Sequence, residues 1–193
     1  MLDGRHPITT AILFRREVID IYGGIDPDIV VSDLDFEVRI AARFPFVISK
    51  KPCGIFVAHP LSAGIQADTS WIWPSCLKLI QNLMDDPYVA LDIRENVERC
   101  LIKYFKDTIF ILGLRSAIKG NFADARKSVD VLDGYYRAHT RASVLKLIAQ
   151  VFERVRFIHR LAYLSYDFRE VIYGIKNAKL QKEFGYLAKF LEL

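Results

Sequence analysis

From about residue 70 onward, apolar residues recur at alternating steps of three and four. Val97, Leu101, Tyr104, Phe105, Thr108, Ile109 and Leu112 fall on one face of a long helix, and Phe122, Ala125, Val129, Leu132 and Tyr136 repeat the pattern, as 3.6 residues per turn requires of an element buried on one side. Further stripes run through Val144, Leu147, Ile148, Val151, Phe152 and Val155, through Leu164, Phe168, Val171, Ile172 and Ile175, and through Leu180, Phe184, Leu187 and Leu191. Gly113, Gly120 with Asn121, Gly134 and the Asp85-Asp86-Pro87 step supply breaks between them. The expectation is five or six packed helices. Residues 117–132 carry the Ala, Gly and aromatic spacing of a single tetratricopeptide-like hairpin, but an array needs about three such units, so an irregular bundle is the better reading.

Before residue 70 the texture differs. Five of the 7 prolines lie there, and the apolar runs are short. Residues 8–14 are β-branched and apolar and read as a buried strand, and 15–22 as a short helix stopped by Gly23 and Gly24. Ser32 is the expected N-cap of a helix over about 33–44, with Asp33 and Asp35 in its first turn, where acids suit the dipole. Residues 46–49 and 55–58 read as strands around the turn at 50–54. The fold class expected is therefore an α+β piece over 1–68 followed by an all-α bundle over 69–193, predominantly α overall.

Composition narrows the class of protein. The chain has 193 residues, 52% of them hydrophobic, which is ample for a core. The 27 Lys and Arg stand against 23 Asp and Glu in mixed order, so no basic block marks a nucleic-acid footprint. Cys53, Cys76 and Cys100 form no CxxC pair and have no neighbouring His. They fit neither a disulfide framework nor a zinc site, and buried thiols in a reducing, cytoplasmic compartment are expected. The N-terminus lacks the apolar segment of a signal peptide. The most apolar later stretch, 108–118, is interrupted by Arg115 and falls short of the roughly 20 apolar residues of a spanning helix. Arg154, Arg156, Arg160 and Arg169 with Phe157, Tyr163 and Tyr166 form a basic, aromatic stretch. It suits either a peripheral membrane contact or a solvated face with snorkelling arginines.

The ordered features over residues 8–64 carry a resemblance. The strand ends at Phe14-Arg15, the short helix leads to Gly23-Gly24-Ile25-Asp26, and the acidic segment Ser32-Asp33-Leu34-Asp35-Phe36 is followed by Arg39-Ile40-Ala41, Lys51-Pro52 and His59-Pro60-Leu61-Ser62. In order and spacing this series resembles the acceptor side of the GT-A-type glycosyltransferases of family 2. The resemblance covers under a third of the chain. It implies a partial GT-A-like α/β layer, an incomplete sheet edge open to self-association, and inverting transfer from a nucleotide-sugar to a glycan or lipid-linked acceptor. The family motif is Glu-Asp with the second residue as base, so Asp33 takes that role here and Ser32 stands where glutamate is common. Asp35 is the supporting carboxylate and His59 the candidate metal contact, with Mg or Mn as the implied ion. The residues of a cofactor pocket are not indicated.

Elementary chemistry fits these assignments. A carboxylate opposite the leaving nucleotide takes the proton of the attacking hydroxyl, a contribution of about 10²- to 10⁴-fold. Asp35 lies two residues on, about 200° around the helix, so both carboxylates cannot enter one site unless Asp33 stands outside the helix. Each residue also has a plainer role: Asp33 as a dipole partner worth about 0.3–1 kcal/mol, Asp26 as a turn former bonding its own backbone, Arg39 as the i+4 partner of Asp35, His59 as a hydrogen-bonding strand end. Only 32 residues precede Asp33, and both Asp-X-Asp strings, Asp26-Pro27-Asp28 and Asp33-Leu34-Asp35, already belong to the acceptor-side pattern. The donor-binding half is therefore expected to lie elsewhere, and the chain alone to be an inactive fragment. The alternative class is a non-catalytic helical module that binds a protein partner.

Overall fold

The computed structural model describes residues 13–45, 47 and 67–167. Its elements are α1 (Arg16–Tyr22), α2 (Ser32–Ala41), α3 (Thr69–Met84), α4 (Leu91–Ile118), α5 (Phe122–Asp130), a π-helical turn over Val131–Tyr135, and α6 (His139–Arg154). Residues 156–167 are helical as well. A helical bundle after Thr69 is thus observed. The strands expected over 8–14, 46–49 and 55–58 lie outside the described residues except at Leu13, Phe14 and Val47, which carry no regular structure. Phe14 instead packs edge-on against Phe36, with 5.0 Å between ring centroids.

Local chemistry sets the helix ends. Gly23 and Gly120 close α1 and the turn after α4 at φ 70° and 79°, a conformation that costs a side-chain-bearing residue free energy. Ser32 does not cap α2. Asp35 N–H donates to Val31 O at 3.0 Å, so the helix starts one residue early, with Ser32 inside it and no side-chain cap. At α3 the Asp68 side chain accepts from Trp71 N–H at 2.8 Å, while the N–H groups of Thr69 and Ser70 turn to Asp124 of α5, at 3.4 and 3.3 Å. Asp124 is buried and also accepts from Ser116 Oγ at 2.6 Å. One carboxylate thereby joins the start of α3, the end of α4 and the first turn of α5.

The main core runs through α2 to α6. Leu34 and Val38 of α2 meet Ile72, Cys76, Leu79 and Leu83 of α3, the α4 stripe Leu101, Phe105, Ile109 and Leu112, Leu132, and Leu145 of α6. The α4 stripe is the one its periodicity predicts. A second cluster joins Val18, Phe36 and Ile40, and a third Ala117, Ala125 and Ala149. Two expectations are corrected here. Gly113 does not interrupt α4; it is buried at the crossing with α5 and α6, where an added Cβ would lie 2.5 Å from Leu145 Cδ2 and 2.6 Å from Ser128 Cβ. In α6 the buried positions are Ala142, Leu145 and Ala149, whereas Val144, Leu147 and Val155 are exposed.

The thiols are not uniformly buried either. Cys76 is enclosed and Cys100 is exposed on α4, off the stripe of Val97, Leu101 and Phe105 that packs on the core. Burial pushes the Cys76 thiol up to about 12, which removes the reactive thiolate at neutral pH. Iodoacetamide is expected to alkylate Cys100 and spare Cys76 in the native protein, and to modify both in denaturant, as read by peptide mass spectrometry. Equal native modification of the two would contradict the enclosed position of Cys76.

Candidate functional site

The acidic segment opens α2, and its two carboxylates part company there. Asp33 is exposed, with Oδ1 accepting from Leu34 N–H at 2.8 Å. Asp35 is buried: Oδ2 accepts from Arg39 Nε at 2.8 Å and Oδ1 from Asn82 Nδ2 at 3.3 Å. The i, i+4 pairing of Asp35 with Arg39 is the one read from spacing. Asn82 comes from α3 and extends the pair across the core.

Around Asp35 lies an open cleft of about 450 Å³, lined by Gly24, Asp26, Arg39, Arg43, Asp85, Asp86, Pro87 and Tyr88 as well as Asn82. Arg39 Nη2 also donates to Gly24 O at 3.3 Å. Arg43 forms a buried ion pair with Asp86, and its guanidinium stands 5.0 Å from the centroid of the Tyr88 ring. Asp26 accepts from Asp28 N–H at 2.9 Å, the turn geometry expected of it, and pairs with Lys78 at 3.0 Å. The hydrogen bond from Lys78 holds the Asp26 carboxyl below its ordinary range and raises the Lys78 ammonium in return.

Asp33 does not line this cleft. Its charge is the smallest of the influences raising the Tyr104 hydroxyl of α4, burial being the largest. His59 lies outside the described residues. Of the four carboxylates that line the cleft, Asp26, Asp35 and Asp86 are each engaged by a lysine or arginine, which offsets the charge a hard metal requires. Among the described residues no group of three or more His, Cys, Asp or Glu is placed to hold an ion.

Arg43, Asn82, Asp86 and Tyr88 carried no signal in the sequence. The 85–87 step read only as a break between helices, and a contact such as Asp35 to Asn82, 47 residues apart, leaves no periodic trace. Also among the described residues, no helix is long and apolar enough to cross a membrane. Comparison with known protein families, with curated proteins and with solved structures finds no match for this chain.

Proposed function

We propose that residues 8–64 form the acceptor side of an inverting glycosyltransferase of the family 2 kind, with Asp33 as its catalytic base. The observation that supports this reading is the division of labour at the start of α2. Asp35 is tied down by Arg39 and Asn82 and acts as an anchor, while Asp33 is exposed with one carboxylate oxygen fixed by Leu34 N–H. The other oxygen takes the proton of the acceptor hydroxyl as that oxygen attacks the anomeric carbon from the side opposite the leaving nucleotide. One bond to the anomeric carbon forms, the bond to the diphosphate breaks, and the configuration inverts.

Neutralisation of the leaving diphosphate is assigned in this reading to a donor-binding half, with His59 as the candidate contact to its metal. Joined to such a half by fusion or by mixing, the Asp33→Asn variant is expected to lose about 10²-fold or more in turnover. Nucleotide-sugar binding, measured by calorimetry, should stay unchanged. Asp35→Asn should instead lower the melting temperature while costing less turnover per folded molecule. Parent-like turnover in Asp33→Asn would discard the catalytic reading and leave Asp33 as a helix-dipole residue in an interaction module.

A further inference from the structure

Among the described residues, the helix over 156–167 meets the bundle through one face. His159 Nε2 lies 3.0 Å from the Ile118 carbonyl oxygen, and its ring sits 5.7 Å from Phe122 and 5.9 Å from Phe152. One turn and three residues further on, the Tyr166 ring lies 5.8 Å from the Lys119 ammonium. The opposite face therefore points away from the protein. It carries Phe157, Leu161 and Leu164, which are 70%, 52% and 62% exposed. At 100° per residue these three fall within an arc of about 60°, and Arg156 and Arg160 flank it within about 80° of Leu164.

Charge on this face is uncompensated. Arg154, Arg156 and Arg160 are exposed and enter no ion pair among the described residues, and Asp167 is the single acid between 154 and 167. Exposed aromatic and aliphatic side chains bordered by unpaired guanidinium groups suit an interface that is apolar below and anionic above. Guanidinium forks match phosphate oxygens in pairs, and the apolar stripe enters the boundary between headgroups and acyl chains. A spanning helix is not needed for such contact.

We propose that this face docks the chain onto an anionic lipid surface. The inference is independent of Asp33 and of the transferase reading, since none of its residues touches α2 or the cleft. The test is co-sedimentation of the full chain with vesicles of phosphatidylcholine alone and of phosphatidylcholine mixed with phosphatidylserine, at low and high salt. Binding is expected to the mixed vesicles at low salt and to be largely released at high salt. The Arg156→Ala, Arg160→Ala pair should weaken it about 25-fold, roughly fivefold for each arginine near the surface. Phe157→Ser with Leu161→Ser should weaken it at either salt concentration. All four positions are exposed, so circular dichroism should stay parent-like. Absence of binding to the mixed vesicles would overturn the proposal, as would binding indifferent to both pairs. So would sedimentation velocity in which the Phe157 and Leu161 changes abolish a self-associated species in place of vesicle binding, which would assign the face to a second copy of the chain.

Discussion

Asp124→Ala is expected to lower the melting temperature by about 6–12 °C. The carboxylate accepts from Thr69 N–H, Ser70 N–H and Ser116 Oγ, and two of these donors are first-turn N–H groups of α3 that no intrahelical carbonyl can reach. Alanine leaves the Thr69 N–H and the Ser116 hydroxyl buried without this partner, whereas the exposed Ser70 can turn to water. Each such group costs about 1–3 kcal/mol, so a loss of about 3 kcal/mol or more follows, and in a chain of this size each kcal/mol shifts the midpoint by about 2–4 °C. The hydroxyl pair Thr69 Oγ1 and Ser128 Oγ, 2.6 Å apart, should be retained, because Ser128 Oγ donates to the backbone carbonyl of residue 124 at 3.1 Å, which alanine keeps. Asp92, an exposed first-turn acid of α4, is the control. Its replacement by alanine should cost no more than about 1 kcal/mol. If the two substitutions shift the midpoint equally, the junction role of Asp124 is wrong.

Gly113→Ala carries a test of sign. In an exposed helix interior the change would stabilise by about 1 kcal/mol through helix propensity. Here the new Cβ meets Leu145 Cδ2 at 2.5 Å and Ser128 Cβ at 2.6 Å; the Leu145 side chain can turn within a packed core, but the Ser128 contact is relieved only by a shift of α5. Overpacking of this kind costs about 1–3 kcal/mol, and Gly113→Val, with two more carbons in the same space, should cost more still. Urea denaturation is expected to show both variants less stable than the parent. In a Leu145→Ala background the penalty of Gly113→Ala should shrink by about 0.5–3 kcal/mol, the coupling expected of residues in contact. A stabilised Gly113→Ala protein would refute the close crossing.

Both residues show where sequence reading stops. The α4 stripe was legible because Leu101, Phe105, Ile109 and Leu112 are large and regularly spaced, so their burial follows from their pattern. The face of α6 is read only in part: Ile148, Val151 and Phe152 are half-buried, whereas Val144 and Leu147 are exposed, for the opposite reason. Its seam against the bundle uses small residues: Ala149 meets Ala117 and Ala125, and close approach of helices favours small side chains over the bulkier Val144 and Leu147 that the hydrophobic pattern selects. Gly113 belongs to the same seam, and glycine in a sequence signals a stop more readily than a contact. Asp124 looked like one more polar position in an amphipathic helix, since nothing local reveals that α3 begins beside it. At the candidate site the Asp35 and Arg39 pair was legible from i, i+4 spacing. The Asn82 bond and the Arg43 and Asp86 pair were not, because they depend on where the chain returns after the intervening segment.

The placement of Leu34 and Val38 in the same interior as α3 to α6 bears on how such a chain can change over time. Among the described residues, Leu34, Val38 and Ala42 share the interior of the bundle across position 68/69, while Val18, Phe36 and Ile40 keep a cluster of their own. Exchanging the helical region for an unrelated one would strip α2 of its apolar floor and remove Asn82 from beside Asp35. A chain that joins either part to a new companion must supply Leu34 and Val38 with another apolar floor.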